Sequence, residues 1–269
     1  MKSKIIYTVF ILACFTAQSC KSKKIPYGNN AEAGNYYDIR GIKMYCEIYG
    51  EGKPILMLHG NGGSIKSFSN NIPYFCSKYK VILLDSRAQG KTTDTQDSLS
   101  FEMMADDEAA LLEELHVDSV YVLGWSDGGI DALLLAIRHP GKVIALAASG
   151  ANIWPDSTAF SPSAWHDSKS QFDFLKDQTP ATPKEKNDRK LFLLDWQQPH
   201  IALPALQSIQ CPALIIAGDN DVISEAHTRL IGQNIPKSTL WIAPNSGHAV
   251  LKEHKDEFNA KVDSFFSSH

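Results

Sequence analysis

A mostly parallel β-sheet flanked by helices, the α/β class, is the architecture this sequence predicts. Short apolar runs alternate with longer helix-like segments from about residue 42 onward, the order in which such layered folds are written. The central runs are continuously apolar, as strands covered on both faces must be. The alternation breaks once, over about sixty residues after Gly150, and resumes near Pro212; that is too long for a plain loop and predicts an insertion over the strand ends.

The 269 residues fit one α/β domain with an insertion better than two separate cores. With 43% hydrophobic and 21% charged residues the chain is an ordinary globular one. Its net charge of −4, with no long run of Lys or Arg, excludes a nucleic-acid groove.

At the N-terminus, Lys2 and Lys4 precede an apolar run over 5–15, and small and polar residues lead to Ser19 and Cys20. This is the pattern of an export signal over 1–19, too short for the ~20 apolar residues of a spanning helix. Thr16-Ala17-Gln18-Ser19-Cys20 resembles a bacterial lipobox, which would make Cys20 the lipidated first residue of an exported, cell-envelope protein. Ala17 stands where Leu is usual, and the same residues suit an ordinary signal peptidase, which would leave the chain simply secreted or periplasmic. Residues 20–35, with Lys21, Lys23, Lys24, Pro26, Gly28, Asn29 and Asn30, read as a polar tether. The first part of the core is then 36–150, the lid insertion 151–208 and the second part 209–269.

Strands are expected over 42–49, 55–58, 81–85, 120–123, 143–147, 213–217 and 239–242. Residues 101–115 have apolar positions at helical spacing with acids on the other face, and 131–138 read as a more buried helix. The insertion, crowded with Trp154, Phe160, Trp165, Phe172 and several prolines, reads as polar and helix-poor. Outside the export region, Cys46, Cys76 and Cys211 cannot all pair and show no Cys-x-x-Cys spacing, so buried thiols with at most one disulfide are expected, and no metal centre.

Gly124-Trp125-Ser126-Asp127-Gly128 matches G-x-S-x-G between an apolar strand and a helical run, the setting in which a nucleophilic serine is pushed above the sheet on a strained turn. A serine hydroxyl needs an imidazole base and an acid to orient it. His248, after the last strand in Ser246-Gly247-His248, and Asp221, in Gly218-Asp219-Asn220-Asp221, stand at strand C-terminal ends, where ligands of open α/β sheets bind. Asp219 is a rival orienter on the same loop. His116, His139, His227, His254 and His269 fall on or beside helices and read as solvated. His59-Gly60-Asn61-Gly62-Gly63 follows the strand at 55–58 and suits an oxyanion loop, with the backbone N–H groups of Asn61 and Asp127 as donors and His59 as a structural hydrogen-bonding residue.

On these residues the chain resembles the α/β-hydrolase superfamily from about residue 42 to the end. Asp85-Ser86-Arg87-Ala88-Gln89-Gly90-Lys91-Thr92 looks like its D-x-R-G-x-G-x-S loop, with Ala88 replacing a glycine. Gly-Trp-Ser-Asp-Gly-Gly, with a helix ending Arg138-His139-Pro140, is similar to the biphenyl-hydrolase-like group that includes valacyclovir-type ester hydrolases. The resemblance implies a cofactor-free serine hydrolase cleaving a small carboxylic ester through an acyl-enzyme, and an Asp127 able to face a substrate ammonium group. Trp125 and Trp154 are the further substrate-binding candidates. Carbon–carbon bond hydrolases, lactonases and aminopeptidases keep the same serine and stay open. So does a non-catalytic envelope protein that captures a small ligand. The partner expected is a small ester, with membrane contact only through the anchor.

Overall fold

The computed structural model describes residues 25–269. The export signal at 1–19, the lipidation candidate Cys20 and the start of the tether lie outside the described residues. The strands are β1 (Gly34–Ile39), β2 (Ile42–Tyr49), β3 (Pro54–Leu58), β4 (Lys80–Leu84), β5 (Val120–Trp125), β6 (Val143–Ser149), β7 (Ala213–Gly218) and β8 (Ser238–Ala243). They form one eight-stranded sheet in the order β1-β2-β4-β3-β5-β6-β7-β8. The β1–β2 and β2–β4 pairs are antiparallel; from β4 to β8 every pair is parallel.

Alternate residues of the central strands feed two apolar layers, as strand geometry requires. Leu56, Leu58, Leu146 and Ala148 pack with α2 (Phe101–Glu114) and α3 (Asp127–Arg138) on one face. Ile55, Met57, Ala145 and Ala147 pack on the other with α1 (Ile72–Phe75), α8 (Val250–Glu253) and α9 (Lys255–Ser267). Between β6 and β7 lie α4 (Pro162–Leu175), α5 (Pro183–Gln197) and α6 (Leu203–Gln207); α7 (Glu225–Asn234) joins β7 to β8.

Three expectations need correction. The insertion is largely helical, because its prolines stand at first helical positions behind capping residues: Ser161 accepts from the Ala164 N–H, and Thr182 forms a reciprocal capping box with Glu185. Second, the tether segment is folded from about residue 26. The fully buried Glu47 carboxylate accepts from the N–H groups of Gly28 and Asn30, both at 2.8 Å, and from the hydroxyls of Tyr45 and Tyr49, both at 2.7 Å. A buried carboxylate needs such donors, and two come from this segment. Third, β1 precedes the first expected strand; it closes on β2 through Arg40-Gly41, a two-residue turn without the usual Asn-Gly or Asp-Gly signal. Cys46, Cys76 and Cys211 are all free thiols. No described helix is long and apolar enough to cross a membrane.

Candidate active site

Ser126 directly follows β5 and caps α3 with φ 58° and ψ −122°, a strained conformation for a residue with a side chain. The turn closes only because its flanks are glycines: a Cβ on Gly124 would collide with the Gly128 carbonyl, and one on Gly128 with the Leu58 carbonyl. The Ser126 N–H donates to the Ser149 carbonyl of β6 at 2.8 Å, which ties the turn to the sheet.

Two loops from the far side of the sheet reach this serine. His248 Nε2 lies 2.9 Å from Ser126 Oγ, and its Nδ1 lies 2.6 Å from Asp221 Oδ1. Asp221 Oδ1 also accepts from the Ile223 N–H at 3.0 Å, which holds the carboxylate in place. Asp219 turns elsewhere: its carboxylate accepts from the N–H groups of Asn245 and Ser246, stiffening the loop that carries His248, and these bonds hold it below the ordinary carboxylate range. The Trp125 indole N–H donates to the His248 carbonyl at 2.9 Å and fixes that residue's backbone. Gly150, at φ +65°, lies so close that a Cβ there would sit 2.7 Å from the imidazole Cε1.

The glycine-rich loop after β3 approaches from the other side; a Cβ on Gly60 would lie 2.8 Å from Ser126 Cβ. His59 beneath it is buried, donates from Nδ1 to the Gly60 carbonyl at 2.8 Å and accepts the Ser86 N–H at Nε2, 3.0 Å. Burial lowers its pKa, so it serves as a neutral strut. The Asn61 side chain donates to Asp127 Oδ2 at 2.9 Å and to the Leu191 carbonyl of α5 at 3.2 Å. Asp127 is the first residue of α3, so its N–H has no partner within the helix.

Ser126, Asp127 and His248 open into a cavity of about 390 Å³, roofed by the insertion. Two expected contacts are not there: Trp125 and Trp154 do not line it. Trp125 points toward Lys252, whose ammonium lies 4.6 Å from its ring, and Trp154 bonds Thr158 and packs edge-on against His227. Strand side chains alternate in direction, so the residue before a nucleophile faces away from it. His227 is likewise not solvated: it is buried and accepts the Ile153 N–H at Nε2, 3.0 Å.

The cavity also holds a residue that no sequence pattern singles out. Asp195 of α5 is hydrogen-bonded to Asp127. Burial raises Asp127 to about 6, while burial and the Asp127 charge push Asp195 well above the ordinary carboxylate range. Two carboxyls this close share a proton. Asp195 lies in a charge-rich helix, and its partner is remote in sequence, which leaves no local signal.

A family model described as the alpha/beta hydrolase fold matches residues 53–192, more than half of the chain. Over 248 residues the chain is 28% identical to "Serine hydrolase BPHL" of Mus musculus, with 84% of each covered. It is 25% identical over 277 residues to "2-hydroxy-6-oxo-6-phenylhexa-2,4-dienoate hydrolase" of Burkholderia cepacia, covering 87% of this chain and 94% of that protein. Among solved structures, Est816, described as an N-acyl homoserine lactone degrading enzyme, superposes with a TM-score of 0.70 at 26% identity, over 86% of this chain and all of the other.

Proposed function

The chain belongs to the α/β-hydrolase superfamily and is a hydrolase of that fold, and from this premise we propose that it is a serine hydrolase cleaving a small carboxylic ester through an acyl-enzyme on Ser126. The observation that carries this is the continuous relay from Ser126 Oγ through both nitrogens of His248 to the buried Asp221. Ser126 attacks the carbonyl carbon while His248 Nε2 takes its proton, and Asp221 stabilises the imidazolium. The N–H groups of Asn61 and Asp127 receive the developing oxyanion. Collapse expels the alcohol, protonated by His248, and water repeats the sequence to release the acid.

The cavity lining favours an amine-bearing ester within this class. It includes Asp127, Asp167 and Asp195 and, among the described residues, no Lys or Arg. With Asp127 titrating at about 6, the carboxylate is charged above that pH, and an ammonium would sit opposite it.

The test is burst kinetics with p-nitrophenyl acetate and with the p-nitrophenyl ester of an amino acid. Ser126→Ala should lose turnover by about six orders of magnitude and the burst with it. Undiminished cleavage in Ser126→Ala would dismiss this nucleophile, and absence of cleavage in the parent itself would favour capture of a ligand without chemistry. Preference for the amino ester should rise with pH through about 6 in the parent, and Asp127→Asn should flatten that rise. A rise unchanged in Asp127→Asn would remove the ammonium assignment. For the N-terminus we propose export and lipidation at Cys20, carried by the sequence pattern there; palmitate labelling lost in Cys20→Ser supports it, and equal labelling overturns it.

A further inference from the structure

We infer that the wall formed by Phe160, Trp165, Phe192 and Trp196 is a subsite for a planar ring, so that the preferred esters carry an aromatic group beside the scissile bond. This rests on the serine-hydrolase proposal above and names the substrate class for that site.

All four rings line the same cavity as Ser126 and His248. Their mutual geometry differs from the rest of the molecule. Trp196 lies nearly parallel to Trp165, Phe172 and Phe192, at 15°, 14° and 12°, with centroids 5.2, 4.6 and 6.5 Å away. Phe160 continues the series at 30° to Trp165. Among the described residues the only other stacked pair is Tyr121 with Phe266. The core pairs elsewhere meet edge-on or tilted, such as Tyr79–Tyr121 at 87° and Trp241–Phe258 at 40°. Parallel rings with spare faces accept another parallel ring, whose quadrupole prefers an offset stack.

The wall is also not a sealed core. No residue of α4 is buried, and the four lining rings are all part-exposed, so apolar ring surface is left for a ligand to cover. A volume of about 390 Å³ falls within the range of small-molecule sites, roughly 300–1,000 Å³. The wall is held in register with the chemistry as well. Phe160 pairs with Ile223 in an antiparallel bridge, the Ser161 N–H donates to the Val222 carbonyl at 2.8 Å, and the Ser224 N–H donates to the Ala159 carbonyl at 2.8 Å. These partners directly follow Asp221, so Phe160, at one end of the ring wall, is tied to the loop that carries the acid orienting His248.

The experiment compares planar with saturated rings of nearly equal size. On the acyl side, kcat/KM is measured for methyl phenylacetate against methyl cyclohexylacetate; on the alcohol side, for benzyl acetate against cyclohexylmethyl acetate. The parent should favour the planar member by about tenfold in at least one arm. Trp196→Leu and Trp165→Leu should reduce that ratio to near one, while Trp165→Phe, which keeps a ring, should retain most of it. Equal handling of planar and saturated rings by the parent in both arms overturns the inference. A separate binding measurement uses Ser126→Ala titrated with benzylamine and cyclohexylmethylamine, followed by tryptophan fluorescence. Tighter binding of benzylamine upholds the ring subsite even if Ser126 proves not to be the nucleophile; equal binding overturns it whatever the kinetics show.

Discussion

His227 shows what a buried imidazole does when no acid neutralises it. Its Nε2 accepts the Ile153 N–H and the Trp154 ring packs edge-on against it. Burial lowers its pKa from 6.5 to about 4, and the more distant Asp156 offsets this only in part. The ring is therefore neutral in the folded chain at neutral pH, whereas an unfolded chain protonates it near 6.5. Its folded pKa is depressed, so the stability linked to it is full above pH 6.5 and is lost as pH falls from 6.5 to about 4. At roughly 1.4 kcal/mol per pH unit, the loss is at most about 3–4 kcal/mol. His227→Gln supplies a carbonyl oxygen to the same N–H and cannot take up a proton in this range. Its thermal midpoint should therefore fall less than the parent's between pH 7 and pH 4.5. Parallel acid limbs in the two proteins would show that His227 is not the group that titrates.

At the scale of elements, α2 and α3 meet through a pair of acids. Glu108 and Asp131 are fully buried beside each other, and burial raises both well above the ordinary carboxylate range, reinforced by the Asp107 charge at Glu108 and by the Glu108 charge at Asp131. The neighbouring cation Arg87 is committed to Asp107, at 2.6 and 2.8 Å, and so does not serve them. Raised carboxylates give the opposite sign to His227: the stability tied to them is full below the unfolded values near 4 and is lost as pH rises through the folded ones. Asp131→Asn replaces the shared proton with an amide N–H that can donate to Glu108 at any pH. The variant should melt about 4 °C or more above the parent at pH 9 and close to it at pH 5. A variant destabilised equally at both pH values would mean that the contact depends on shape and not on the proton. These two helices were legible in the sequence because their apolar periodicity is strong, and seven strands were legible because they run apolar through the sheet. β1 was not, since it is an edge strand whose exposed Tyr36 and charged turn break the pattern. The insertion's helices depend on caps and on one another's aromatic rings, so apolar periodicity alone does not reveal them. Ser126, Asp221 and His248 stand out because motif and strand-end position constrain them, whereas Asp195 is defined only by a neighbour that folding brings to it.

Across the whole molecule, α5 is fastened to the core by a small set of polar contacts, and those contacts bear on how its side of the cavity opens. Lys190 of α5 reaches Asp94 at 3.3 Å and the Gln96 carbonyl at 2.8 Å. Asp94 is also 3.6 Å from the buried Arg87. Asn187 donates to the Ala88 carbonyl at 2.8 Å, and Asn61 joins the Leu191 carbonyl to Asp127. Apart from the Arg87–Asp94 pair, each of these contacts involves α5, while α4 buries no residue of its own. A segment with few buried contacts opens as a local unit well below the cost of global unfolding. Asp94 is the contact to remove, because its side chain is only 1% exposed and it answers two cations at once. Asp94→Ala leaves Lys190 on backbone carbonyls and Arg87 on Asp107 and the Arg40 carbonyl, at a cost of about 1–3 kcal/mol. Since about 1.4 kcal/mol is tenfold in an opening equilibrium, amide exchange over residues 183–197 should quicken by about tenfold or more, while β5, β6 and β7 keep the parent's protection. Acceleration spread evenly over the chain would mean that Asp94 supports the core and not the insertion; unchanged exchange in 183–197 would mean that the other α5 contacts suffice. The expected local opening also has a kinetic reading. A looser α5 displaces Asp195, Phe192 and Trp196 together, so KM for a bulky ester should rise more than kcat falls, because Ser126, His248 and Asp221 are held by the sheet and its own loops.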